Sequence, residues 1–133
     1  MQAYRETDFV VRHDGGEIVL RVGALNRRLD PLLKAAQCET WAVVTAWNPA
    51  SKVLPRRVNA ERNRRLRRDI ARHGYRCLPG EGRARSGEWP PEKSFLILGI
   101  PLSEARIIGC RYGQLAILVG RLGKKARLCR CLS

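Results

Sequence analysis

Apolar residues fall into short runs separated by glycine- and proline-containing turns, a pattern typical of β-strands. The first two runs flank the turn Asp14-Gly15-Gly16 and predict a β-hairpin. The segment 79–91 is rich in glycine and proline and predicts a loop. Strands are predicted at residues 9–13, 17–22, 41–47, 75–78, 94–100, 115–119 and 127–132.

Three other stretches repeat apolar residues at helical spacing. They predict a short helix over residues 29–36 capped by Asn26, a long helix over 56–73 ended by Gly74, and a helix over 103–112 capped by Ser103. Alternating strands and helices predict one α/β (α+β) domain over residues 1–133. We expect a mixed β-sheet of about five to seven strands with about three packed helices.

The strand at 41–47 ends abruptly at Asn48-Pro49. Proline has no backbone N–H and keeps the preceding residue out of the helical region, so the strand must stop there. In sheets covered by helices, ligands bind at the carboxyl ends of strands. Asn48 is therefore a candidate ligand-binding residue.

The predicted helix 56–73 carries two amides on its apolar face. Leu66 and Ile70 define that face, and continuing it toward the N-terminus gives Asn63 and Asn59. A buried amide without partners costs about 1–3 kcal/mol, so each must have a hydrogen-bonding role. Two roles remain open: Asn59 and Asn63 contact a ligand, or they hold the 48–55 loop and a strand end.

Two further polar residues precede apolar strands, Glu92 before 94–100 and Gln114 before 115–119. Amides and a carboxylate together suit recognition of a heterocycle edge or of hydroxyls. Glu92 is a weak candidate general base if burial raises its pKa, or else a carboxylate paired with one of the arginines. Both residues meet Asn48 only if their strands run antiparallel to the strand that Asn48 ends.

The net charge is +14 with a pI near 10.8, and 21 of the 26 basic residues are arginine. A field of this sign attracts phosphates. A codon bias explains arginine in place of lysine but not the small number of acids. A solvated helix face is the ordinary interpretation of surface arginines; a nucleic-acid-binding patch is the alternative, and its candidate residues are Arg56, Arg57, Arg64, Arg67, Arg68 and Arg72.

Five scattered cysteines without a secretory signal predict free thiols, and Cys129-x-Cys131 is only half of a zinc site. We therefore expect no metal and no cofactor. No apolar run is long enough for a membrane span, so a cytoplasmic protein that does not contact membranes is expected.

Taken in order, these motifs resemble a bacterial protein family known as DUF3293. They are Thr45-Ala46-Trp47-Asn48-Pro49, Asn59-x3-Asn63-x2-Leu66, Gly74-Tyr75, Trp89, Glu92-x-Ser94 and Tyr112-Gly113-Gln114-x-Ala116-Ile117. The resemblance covers about residues 18–119. It implies a single α/β domain and brings no activity with it.

Three functions fit these observations. The first is a small-ligand domain, with or without catalysis, that binds a nucleotide-like molecule through Asn48, Asn59, Asn63, Glu92 and Gln114. The second is a nucleic-acid-binding accessory protein that uses the arginine-rich helix 56–73. The third is an interaction module for an acidic protein partner. The first is preferred, because these polar residues interrupt core-facing patterns and the arginines do not.

Overall fold

The apolar runs of the chain pair into one seven-stranded sheet. The computed structural model describes residues 2–131, and the side chains of residues 4–131. The strands are β1 (Thr7–His13), β2 (Gly16–Leu20), β3 (Thr40–Val44), β4 (Arg76–Ala84), β5 (Glu92–Leu98), β6 (Ala116–Arg121) and β7 (Arg127–Arg130). The helices are α1 (Gln2–Arg5), α2 (Asp30–Ala35), α3 (Arg56–Arg72) and α4 (Leu102–Arg111), with a 3-10 turn at Pro49–Ser51.

The strand order is β2-β1-β4-β5-β3-β6-β7, and every pairing is antiparallel. The single-domain α+β fold is thus confirmed, with a wholly antiparallel sheet in place of the mixed sheet expected. β3 lies between β5 and β6, both of which follow it in the chain by more than forty residues. No helix among residues 2–131 is both long and apolar enough to cross a membrane.

Both faces of the sheet are covered by other elements. Neighbouring residues of a strand point to opposite faces, so β3 contributes side chains to both cores. On one face, Ala42 and Val44 of β3 belong to a core formed with α3 and α4. On the other, Trp41 and Val43 belong to a core with β1, β2 and α2. α3 and α4 therefore lie together on one side of β3.

The largest difference from the predicted elements is β4. It continues to Ala84, where a loop over 79–91 was expected. β4 pairs with β1 only from Gly80 onward, so the missing N–H of Pro79 lies before that pairing begins. Gly80 is needed for close approach, since a Cβ there would lie 2.2 Å from the carbonyl oxygen of Val10. Pro79 and Gly80 are therefore accommodated within β4 and do not end it.

Several helix and strand boundaries also differ from the predicted ones. β3 ends at Val44, before the predicted end at 47. The predicted caps are wrong: α2 begins at Asp30 and α4 at Leu102, with no side-chain cap from Asn26 or Ser103. α1 was not predicted, and residue 132 of the last predicted strand lies outside the described residues.

Candidate functional site

The carboxyl end of β3 meets the amino ends of β5 and β6. Val44 pairs with Phe95 and Val43 with Leu118, so the residues that follow β3 lie beside those that begin its two neighbours. The antiparallel pairing thus satisfies the condition set by the sequence. Asn48, Glu92 and Gln114 lie at the same end of the central strands, and α3 places Asn59 and Asn63 beside them.

Asn63 joins the ends of two strands. Its Oδ1 accepts a 2.8 Å hydrogen bond from the backbone N of Ala46, and its Nδ2 donates to the carbonyl oxygen of Lys93 at 2.9 Å. Thr45 Oγ1 donates to the same carbonyl oxygen at 2.6 Å. Asn63 is 5% exposed and Ala46 is fully buried. The amide therefore satisfies backbone groups where β3 leaves the sheet.

Asn59 holds Asn48 by a reciprocal pair of hydrogen bonds. The backbone N of Asn48 donates to Asn59 Oδ1 at 2.8 Å, and Asn59 Nδ2 donates to Asn48 Oδ1 at 2.7 Å. Asn59 Nδ2 also donates to the carbonyl oxygen of Leu54, whose N–H donates to Asn48 Oδ1. Asn59 and Asn63 therefore make the local, loop-holding contacts that were one of the two roles left open by the sequence.

Two more side chains complete this network. Arg62 donates from Nε to the carbonyl oxygen of Ala46 at 2.8 Å and from a terminal nitrogen to that of Tyr112 at 2.6 Å. Gln114 Nε2 donates to the carbonyl oxygens of Trp47 and Tyr112, both at 3.3 Å. We call the side chains of Asn59, Arg62, Asn63 and Gln114 the clasp. Arg62 was not predicted as a site residue, although it lies one turn from Asn59 on the same helix face.

The loop held by the clasp is strained. Asn48, Ala50 and Ser51 have φ values of 45°, 53° and 62°, in the left-handed region that residues with a Cβ rarely adopt. Ala50 N donates to the carbonyl oxygen of Gly113 at 2.7 Å. Such conformations cost about 1–3 kcal/mol each and persist only where surrounding contacts enforce them. The clasp supplies such contacts at Asn48, and the Gly113 carbonyl oxygen supplies one at Ala50.

Glu92 differs from the clasp residues. It is partly buried, and burial raises the pKa of its carboxyl group, while a hydrogen bond from the Asn48 side chain partly offsets this increase. Within the described residues Glu92 makes no ion pair, so the expected pairing with an arginine is wrong. The Tyr4 hydroxyl lies nearby, and burial followed by the Glu92 charge raises the pKa of Tyr4.

Tyr4 was not foreseen, because no local pattern connects the start of the chain to β5. Glu92, the Asn48 amide and Tyr4 therefore form a small polar group at the strand ends. All three are partly accessible to solvent, whereas Asn59, Asn63 and Gln114 are buried. An arriving ligand would meet this group before it met the clasp.

The arginines of α3 are on its outer side, as expected for a solvated face. Six of them were candidates for nucleic-acid binding, and all six are exposed: Arg56, Arg57, Arg64, Arg67, Arg68 and Arg72. Arg64 and Arg68 approach Glu61, as does the exposed Arg65, which was not among the candidates. Arg72 approaches Asp69. Among the described residues, Arg56, Arg57 and Arg67 have no carboxylate partner.

Two cavities lie away from the clasp. One, of about 340 Å³, lies between β2 and α2, and the other, of about 480 Å³, lies beside the start of α4. Neither is lined by any of the five candidate ligand-binding residues. All five cysteines have free thiols, and burial raises the pKa of Cys131 to about 11. No group of three or more metal-ligating residues occurs among residues 2–131.

No curated protein and no solved structure matches the chain. A family model described as "Protein of unknown function (DUF3293)" matches residues 44–117. That span includes the strained loop, the whole clasp and Glu92, and excludes Tyr4 and β7. Because the match covers more than half of the 133 residues, the chain belongs to the DUF3293 family.

Proposed function

We propose that this protein binds a nucleotide-like small ligand at the polar group formed by Glu92, Asn48 and Tyr4. The observation that carries the proposal is Glu92, a partly buried carboxyl group whose pKa is raised and which is partnered by an amide instead of a cation. A partly buried carboxyl group without a cationic partner lowers stability, and such groups occur preferentially at functional sites.

The hydrogen-bonding capacity of the group supports a ligand that carries N–H or hydroxyl groups. A carboxylate accepts hydrogen bonds on two oxygens and so matches the edge of a heterocycle or a pair of sugar hydroxyls. Trp47, next to Asn48, is partly exposed and offers an aromatic surface to a flat ligand.

The clasp acts in this proposal as the support of the site. Asn59, Asn63 and Gln114 use their amide groups on backbone atoms and on Asn48, so they position the loop and do not contact the ligand. Strain held in a loop beside a polar group is typical of pre-organised sites. Burial also makes the Glu92 carboxylate more basic than an exposed carboxylate, which is the direction that a general base requires.

Mass spectrometry of small molecules retained by the purified protein tests the proposal. Glu92→Gln keeps the shape of the side chain and removes its charge. Glu88→Gln is the matched control, since Glu88 is exposed in the preceding loop. We expect a retained compound in the wild type and in Glu88→Gln, and its loss in Glu92→Gln with an unchanged circular dichroism spectrum. Equal retention by Glu92→Gln would contradict the proposal.

A second function is supported by the outer face of α3. The helix has eight arginines and two acids, a net charge of +6, and three of the exposed arginines lack a carboxylate partner among the described residues. Phosphates of a nucleic acid would pair with this face. This binding would be independent of sequence and sensitive to salt.

Salt titration of oligonucleotide binding tests this second function. Replacing Arg64, Arg67 and Arg68 together by glutamine should reduce the slope of log K against log salt by about 2 to 3, because each lost phosphate contact removes roughly one unit. The control replaces Arg27, Arg28 and Lys34, which are exposed near α2. Equal slopes for both triple variants would exclude α3 as the binding face.

A further inference from the structure

The cavity of about 480 Å³ is the feature that the proposed function does not use. It lies at the amino end of β3, between the end of β6 and the start of α4. The five residues of β3 separate it from the strained loop, and the four steps from Thr40 to Val44 alone span about 13 Å. One small ligand therefore does not reach both places.

The floor of this cavity is apolar. Trp41, Ile100 and Val119 line it, and Trp41 packs against the backbone of Gly120. A Cβ at residue 120 would lie 2.3 Å from Cζ2 of the Trp41 ring, so only glycine allows the ring to lie there. An aromatic and aliphatic floor favours a ligand with a flat, apolar part.

The rim of the cavity is positively charged. Arg121, Lys124, Lys125 and Arg127 line it, and all four are exposed. Within residues 2–131 none of them forms an ion pair, and no aspartate or glutamate lines the cavity. Four cations without an ion-pair partner around one cavity create a local field that attracts an anion.

The start of α4 adds backbone donors to this rim. Pro101 and Leu102 line the cavity, and α4 begins there without a side-chain cap. The first N–H groups of a helix have no partner within the helix, and together with the helix dipole they favour a phosphate. The four cations and the first N–H groups of α4 thus both favour the binding of a phosphate in this cavity.

We infer that this cavity binds a small phosphorylated molecule with an aromatic ring, such as a nucleoside phosphate. The phosphate contacts the cationic rim and the start of α4, and the ring lies on the floor beside Trp41. The volume falls within the range of about 300–1,000 Å³ typical of small-molecule sites. The phosphorylated end of a nucleic-acid strand has the same chemistry, and the experiment separates these two sources.

Calorimetric titration of the whole protein with ATP, adenosine and inorganic phosphate tests the inference. We expect ATP to bind at least tenfold more tightly than adenosine or phosphate alone, because only ATP satisfies both the rim and the floor. Equal binding of adenosine and ATP, or no binding of ATP, would overturn it.

Two variants locate the binding. Replacing Lys124, Lys125 and Arg127 together by glutamine should weaken ATP binding at least tenfold. Leu102→Glu should do the same by placing a carboxylate at the rim. Leu102 is 37% exposed, and an acid in the first turn of a helix does not harm folding.

The controls separate this site from total charge and from the Glu92 site. Replacing Arg64, Arg67 and Arg68 by glutamine removes the same charge from α3 and should weaken ATP binding much less than the cavity variant does. In a Glu92→Gln background the Lys124, Lys125 and Arg127 replacements should still weaken ATP binding at least tenfold. A loss of ATP affinity in the α3 variant equal to that in the cavity variant would refute the site.

Oligonucleotides with and without a 5′-phosphate identify the source. If the phosphorylated strand binds more tightly than ATP, and Leu102→Glu abolishes this difference, the cavity receives a strand end. If ATP binds more tightly than the phosphorylated strand, the ligand is a free nucleotide.

Discussion

Replacement of Asn63 by leucine separates a structural amide from a ligand-binding one. Leucine has nearly the same size and restores the apolar stripe that Leu66 and Ile70 begin. If Asn63 were present only to contact a ligand, the change would leave the fold intact or stabilise it. The structure predicts the opposite, because the Asn63 side chain binds Ala46 N and the Lys93 carbonyl oxygen.

The magnitude follows from those two contacts. The N–H of Ala46 is buried and would lose its acceptor, and the Lys93 carbonyl oxygen would keep only the bond from Thr45. Unsatisfied groups of this kind cost about 1–3 kcal/mol each, so the loss is about 3 kcal/mol. Burial of the leucine side chain returns about 1 kcal/mol. We expect Asn63→Leu to lower the free energy of unfolding by about 2 kcal/mol.

Thermal unfolding followed by circular dichroism measures this effect. For a chain of this size about 2 kcal/mol corresponds to a decrease in Tm of roughly 6–10 °C. The control is Asn26→Leu, because Asn26 makes only a 3.3 Å local bond to Ala24 and should change the free energy by less than about 0.5 kcal/mol. Amide exchange at Ala46 should accelerate in Asn63→Leu alone. A variant as stable as the wild type, with Ala46 still protected, would refute the structural role.

Three further predictions concern the same region. Because the pKa of Glu92 is raised in the folded protein, ionisation of Glu92 lowers the free energy of unfolding of the wild type as pH rises above about 4. Glu92→Gln lacks this loss, so its free energy of unfolding, measured in urea, should increase relative to wild type over that range. A difference that stays constant with pH would contradict the prediction. Tyr112 donates to Asp69 at 2.5 Å and lowers its pKa, so Tyr112→Phe should cost about 1–3 kcal/mol at pH 7 and less below pH 4. Gly113→Ala should destabilise more than Gly74→Ala, because only at Gly113 would a Cβ also collide, 2.7 Å from a proline side chain; equal losses would show that φ alone matters.

The buried amides could be predicted from sequence because helical periodicity is local. Leu66 and Ile70 define a stripe, and its extension reaches Asn63 and Asn59, which are 5% and 1% exposed. The meeting of Asn48 with later residues depended on strand direction, which no local pattern specifies. The antiparallel pairing of β5 and β6 with β3 is what brings these residues together.

Other parts of the site could not be predicted, for two physical reasons. Arg62 has the charge of a surface residue, and its burial depends on carbonyl groups contributed by Ala46 and Tyr112, which are distant in sequence. The residues after Pro79 have the composition of a loop, but pairing with strands on both sides outweighs that local preference. In each case a long-range contact determines the structure, and short-range patterns contain no information about it.

The position of β3 between β5 and β6 has a consequence for synthesis of the chain. The β1–β2 hairpin can pair as soon as it leaves the ribosome, but β3 must wait for residues 92–98 and 116–121. During that interval the segment Trp41-Ala42-Val43-Val44 is an unpaired apolar strand with two open edges. Nascent chains that stall before residue 92 should therefore associate with one another or with chaperones, and chains released after residue 121 should not.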